Sequence, residues 1–222
     1  MKSYIRNEFF LLLRKDILTE FRRAASLGSL LLYVTTSLFI CYISFEQSPG
    51  NKAWAALFWM IMVFAITNAV SRGFLQEGRN LTGFYQSMVS PVSLILSRLT
   101  YNGLLMVVCA LLSLLIYVVL MGDPGISYLA FMPVLLLGVA GFSTLMTLIS
   151  ALASRAGQML TLTAVLGFPL SFPLIIICLR LSEASMAIPL SSSYGLLVLL
   201  LALLDTLLLG LSIILFPYIW KD

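Results

Sequence analysis

Apolar residues fall in six long runs, at 27–45, 53–71, 99–121, 126–153, 158–179 and 194–216. A helix needs roughly 20 apolar residues to cross a bilayer core, and each run is close to that length. Polar, turn-forming segments separate them: Glu46-Gln-Ser-Pro-Gly-Asn-Lys52, a long mixed stretch at 72–98, Gly122-Asp-Pro-Gly125, Ser154-Arg155-Ala-Gly157, and Arg180 to Ser193. Trp54, Tyr101, Tyr128, Tyr194, Tyr218 and Trp220 lie near run ends, where aromatic belts meet the headgroups. The pattern predicts an all-α integral membrane protein, one domain over 1–222 with six transmembrane helices.

The first 23 residues differ. They hold nine charges, which interrupt any signal-peptide core, so no cleaved signal is expected. Ile5, Phe9, Leu13, Ile17 and Phe21 recur every fourth residue, and Arg6, Arg14, Lys15, Arg22 and Arg23 mostly avoid that line. This predicts an amphipathic helix over 1–24. It would lie in the interface with its basic side toward anionic headgroups, or pack as a soluble helix on a neighbouring subunit.

Composition sharpens the class. Apolar residues make up 61% and charged residues 10%, and mean hydropathy is +1.06. A soluble domain has about 25% charged residues, so this chain is not one. The net charge of +4 is small for a nucleic-acid binder. Three cysteines, each inside an apolar run, make no disulfide framework. With no histidine, the chain lacks imidazole catalysis, imidazole metal sites and histidine ligation of haem. If the N-terminus is cytoplasmic, 11 of the 13 basic residues fall on that side, leaving only Lys52 and Arg180 opposite. The positive-inside rule then puts both termini in the cytoplasm. The halves differ in loop length and charge, against an inverted-repeat secondary transporter.

Candidate chemistry is sparse. Asp205 alone carries charge deep within a run, and an intramembrane acid is a functional candidate by default. The simpler readings are a protonated carboxyl or one hydrogen-bonded to a neighbouring span. No paired-acid motif, P-loop or HExxH is present, so the chain is expected neither to be an enzyme nor to hydrolyse ATP itself. No catalytic, cofactor or metal ligand is assigned. Ala140, Thr144, Thr147, Ala151 and Ser154, with Gly138 and Gly141 beside them, form a small-residue stripe suited to close helix packing. Pro169 and Pro173 should kink the fifth span, and their freed carbonyls predict that it faces protein or a cavity.

The segment between the second and third spans is too polar to cross a membrane and too apolar for a free linker. Phe84, Tyr85, Met88 and Val89 sit at helical spacing, predicting a short helix with one apolar face. On the cytoplasmic side such a helix suits a partner's groove; the bland reading folds it back on its own bundle. Ser90-Pro91 reads as an N-cap followed by proline at the first helical position, starting the third helix before the membrane.

Six spans, an amphipathic N-terminal helix and the Glu77-Gly78, Gly83, Ser90-Pro91 loop resemble an ABC exporter permease of the ABC-2 type. Within that group the chain is most similar to the CcmB family, permease subunits of the cytochrome c maturation haem exporter. The resemblance runs over essentially the whole chain. It is carried by Leu12-Leu-Arg14-Lys15-Asp16-Ile-Leu-Thr-Glu20-Phe-Arg22, the loop through Ser90-Pro91, Arg98 with Tyr101-Asn102, and Pro169 with Pro173. It implies that 72–92 is a coupling loop, with Glu77, Arg79, Phe84, Tyr85 and Met88 facing an ATP-binding subunit (CcmA type). It further implies a haem-handling membrane subunit (CcmC type), a small membrane subunit (CcmD type) and, indirectly, a periplasmic haem chaperone (CcmE type). ATP would sit on the partner, haem would be handled by the complex, and the location would be the bacterial inner membrane. The other expectations weighed are an ABC-2 permease for a lipid-linked or drug-like substrate, and a membrane enzyme or scaffold with no ATPase partner.

Overall fold

The computed structural model describes residues 2–22, 24–45, 50–76, 90–122, 125–155, 159–187 and 193–221. They form seven helices: α1 (Lys2–Arg22), α2 (Ala24–Ser44), α3 (Asn51–Gln76), α4 (Pro91–Met121), α5 (Tyr128–Arg155), α6 (Met159–Ser185) and α7 (Tyr194–Lys221). No strand occurs among the described residues. In lipid this is the economical solution, because a helix satisfies its own backbone groups where no water can. Five helices, α3 to α7, are long and apolar enough to cross a membrane. In α2 the apolar stretch is the shorter Gly28–Ser44.

From α2 onward the helices alternate in direction, and bonds at the two ends of the bundle record it. At one end the Tyr117 hydroxyl of α4 donates to the Trp54 carbonyl at the start of α3, at 2.9 Å. There Ser127 N–H, ahead of α5, donates to Ser185 O at the end of α6 at 3.2 Å, and the Tyr194 hydroxyl of α7 donates to Ala130 O. At the other end Leu12 of α1, Leu94, Ile95 and Leu99 of α4, Ala151 of α5 and Phe216 of α7 form one buried cluster. We call this end the foot; α1 and the last turns of α7 meet there.

The main core is built around α5, the most buried of the five long helices, whereas α7 is the least. Trp54, Phe58 and Trp59 of α3, Tyr117 of α4 and Phe131 and Phe142 of α5 are buried side chains of this core. Their rings pack at centroid separations of 4.7–6.0 Å. Two glycines let neighbours reach the α5 backbone. A Cβ on Gly138 would strike the Trp59 ring and lie 2.8 Å from Cys178 Sγ; one on Gly141 would strike Asp205 Oδ1 and lie 3.1 Å from Leu174 Cδ2.

The expected N-cap is present. Ser90 is extended (φ −69°, ψ 135°), its side chain accepts from Ser93 N–H, and Pro91 opens α4. Gly122 and Gly125 take φ near +80°, which explains the glycines of the turn after α4.

Three expectations need correction. First, α3 runs to Gln76, α4 starts at Pro91 and α6 reaches Ser185, all beyond the apolar runs. Arg180 and Glu183 therefore continue α6, with no separate loop beginning there. Secondly, α1 packs on α4 most closely through Leu12, outside the expected line, whose described members Phe9, Leu13 and Ile17 are partly covered, while Phe10, Leu11 and Leu18 are exposed. A strict every-fourth ladder drifts about 40° per step around a helix, so its members cannot all meet one neighbour. Thirdly, the prolines of α6 are not on its packed side: Pro169 and Pro173 are exposed within this chain, with Phe168, Leu170 and Phe172, while Gly167, Ser171 and Leu174 are buried, and the helix continues through both prolines.

If the Gly138 contact holds the core, Gly138→Ala should cost about 1–3 kcal/mol of stability through overpacking. A Cβ at Gly103 has nothing within 4 Å, so Gly103→Ala should be near neutral. Thermal unfolding in detergent would compare them, and equal midpoints would contradict the packing described.

Candidate functional site

The foot is where α1 is fastened to α4. Ser90 N–H donates to Glu8 Oε2 at 3.4 Å, and the Ser90 hydroxyl lies 3.1 Å from the same oxygen. A carboxylate here suits the positive end of the α4 dipole. The Ser90 hydroxyl also lies 2.6 Å from Ser93 Oγ. Two turns along, Arg98 is buried on α4, and the charge of Asp16 on α1 acts on its guanidinium. Asp16 also pairs with Lys15 at 2.9 Å. Glu8 and Asp16, eight residues apart on one helix, thus meet Ser90 and Arg98, eight apart on the other.

A polar seam continues upward from Arg98. One turn on, Asn102 Nδ2 donates to Thr147 Oγ1 of α5 at 3.0 Å, and Thr147 donates to Ser143 O at 2.7 Å. Ser143 and Ser150 are buried on α5, and neither hydroxyl oxygen has a hydrogen-bond partner among the described residues. The expected small-residue stripe is thus partly a polar contact: Thr147 meets Asn102, and Thr144 and Ala151 are buried.

Deeper in the bundle lies Asp205 of α7, 7% exposed. Neither carboxyl oxygen has a hydrogen-bond partner among the described residues, so the expected bond to a neighbouring span is not made. Nearby, Trp59 Nε1 donates to Ser182 Oγ at 2.9 Å, and Ser182 donates back to Cys178 O at 2.7 Å. Sequence reasoning missed this α3–α6 link. The indole and the hydroxyl are separated by 123 residues; Trp59 sits in an apolar run and Ser182 in the stretch that reads as a polar loop.

Glu77, Arg79, Phe84, Tyr85 and Met88 lie outside the described residues. The structure gives the two helices on either side of them, α3 ending at Gln76 and α4 capped at Ser90. Pro169 and Pro173 lie exposed on α6. Among the described residues no three His, Cys, Asp or Glu side chains cluster as metal ligands would. No protein-family model matches the chain, and no curated protein sequence matches it.

The Asn102–Thr147 bond should register in a double-mutant cycle. Asn102→Leu and Thr147→Val, singly and together, should give a coupling of about 0.6 kcal/mol, the average for interhelical hydrogen bonds in membranes, and at most about 1.7. Strict additivity in detergent unfolding would remove the seam as an interaction.

Proposed function

We propose that this chain is the membrane-spanning subunit of an ABC-2-type transporter. It has six spans and both termini in the cytoplasm, and it is driven by ATP hydrolysis on a separate subunit. The observation that carries the reading is the way α3 and α4 bracket residues 77–89. α4 has 31 residues, about 46 Å at 1.5 Å per residue, against a hydrocarbon core of about 30 Å. Several turns of it therefore stand beyond the core, and Ser90-Pro91 caps the foot end. A push on the 77–91 segment would reach the bundle through α4, through α1 fastened beside it, and through the seam from Arg98 to α5. The 11-of-13 bias of basic residues puts that foot on the cytoplasmic side, where ATP is. The sixth span is α2, of 21 residues, about 31 Å long.

Within this class we favour the haem-delivery system of cytochrome c maturation, on the similarity to CcmB-family permeases quoted above. The partners would be an ATP-binding subunit, a haem-handling membrane subunit, a small membrane subunit and, indirectly, a periplasmic haem chaperone. Glu77, Arg79, Phe84, Tyr85 and Met88 would face the ATPase. The absence of histidine fits tight haem ligation elsewhere in the complex.

Two outcomes are expected. Replacing Phe84, Tyr85 and Met88 together by Ala should abolish co-purification of an ATP-binding subunit while leaving membrane insertion intact; unchanged co-purification would refute the coupling role. Deleting the protein should leave c-type cytochromes without covalent haem. Normal cytochromes in the deletion strain would exclude the haem system and leave the permease reading standing.

A further inference from the structure

Asp205 sits 11 residues beyond the start of α7 and 16 before its end, so it lies about 16 Å along a helix that crosses the membrane. Its carboxyl rests on the α5 backbone at Gly141, where even a Cβ would strike Oδ1, with Leu174 of α6 alongside. Leu201 and Leu208, one turn before and after it on α7, are buried too. The carboxyl is thus enclosed between three helices.

What could such a carboxyl hold? A structural acid would be hydrogen-bonded, and neither oxygen is, among the described residues. A metal or alkali cation would need several oxygen ligands. No cluster of three His, Cys, Asp or Glu exists among the described residues, and the Gly141 backbone and Leu174 lie beside the carboxyl. A counter-charge is also missing among the described residues. The helices packed on α7 are α4, α5 and α6. From α6 the Cys178 thiol is the titratable group that senses Asp205. α5 brings Gly141 to it, and the described titratable side chain of α5 is Tyr128, at its outer end. α4 carries Arg98 and Tyr101 toward the foot, Tyr117 toward the other end, and Cys109 between them. An ionised carboxylate buried without a partner costs several kcal/mol. A proton removes that cost and needs no further ligand.

We propose that Asp205 is a membrane-embedded proton-binding site, occupied while α7 is seated on Gly141 of α5 and emptied when the two helices part. Parting admits water, and the O–H bond of the acid breaks. Water takes the proton as hydronium, and the electron pair stays on the carboxylate. Helix separation and proton release are thereby linked, each favouring the other. This inference does not depend on an ATPase partner.

The test is infrared spectroscopy of the full-length protein in lipid nanodiscs, with carboxyl-¹³C aspartate incorporated. The chain has four aspartates, Asp16, Asp123, Asp205 and Asp222, so assignment is tractable without a variant. The expected result near neutral pH is a labelled C=O band of a protonated acid, absent in Asp205→Asn. Only carboxylate bands in the wild-type protein would overturn the site, and loss of the C=O band on adding sodium would overturn it in favour of a cation site. In Gly141→Ala, which forces the carboxyl from its seat, the C=O band should give way to carboxylate. An undiminished band in folded Gly141→Ala protein would overturn the link to helix seating. Should that variant fail to fold, slow deuterium exchange of the wild-type acid proton supports a closed seat, and immediate exchange overturns it.

Discussion

Close approach of helices to the α5 backbone is the constraint on which the rest of this bundle depends. Between spans in lipid the hydrophobic effect supplies little, because a leucine is as comfortable against an acyl chain as against another helix. Cohesion must come from packing and from polar contacts made at short range. Gly138 and Gly141 supply both. The first admits the Trp59 ring and Cys178, and the second admits the Asp205 carboxyl and Leu174. Three helices thus converge on one flank of a fourth. The Trp59–Ser182 bond then ties two of them to each other.

The foot of the bundle obeys a different rule. There charged and polar side chains gather. Glu8 and Asp16 on α1 answer Ser90 and Arg98 on α4, while Leu12 packs into the cluster that also holds Phe216 from the last turns of α7. One side of α1 is used on α4, and Phe10, Leu11 and Leu18 are left facing outward. A helix with both sides satisfied at a membrane surface would join the bundle to the headgroup layer.

Much of the fold was legible as a pattern. Apolar runs of span length become helices because lipid offers the backbone no other partner, and Ser90-Pro91 marked the start of α4 to the residue. Helix ends elsewhere were less legible, since helices such as α3 and α6 run past the apolar stretch that composition reveals. Packing faces were the least so. In a chain where nearly every side chain of a run is apolar, polarity no longer distinguishes the lipid face from the protein face. Hence the exposed prolines of α6 and the displaced face of α1. Asp205 was conspicuous as a lone acid, but its seat on Gly141 depends on contacts between helices that no spacing encodes.

The proposed coupling role rests on the 77–91 segment, which joins α3 to the start of α4. Its most direct measurement places a photo-crosslinking amino acid at Tyr85 in living cells and identifies what it captures. A covalent adduct with a nucleotide-binding protein, lost when Phe84 and Met88 are replaced by Ala, is the result this account predicts. Adducts confined to lipid or to the chain's own helices, in cells where the protein is functional, would contradict it.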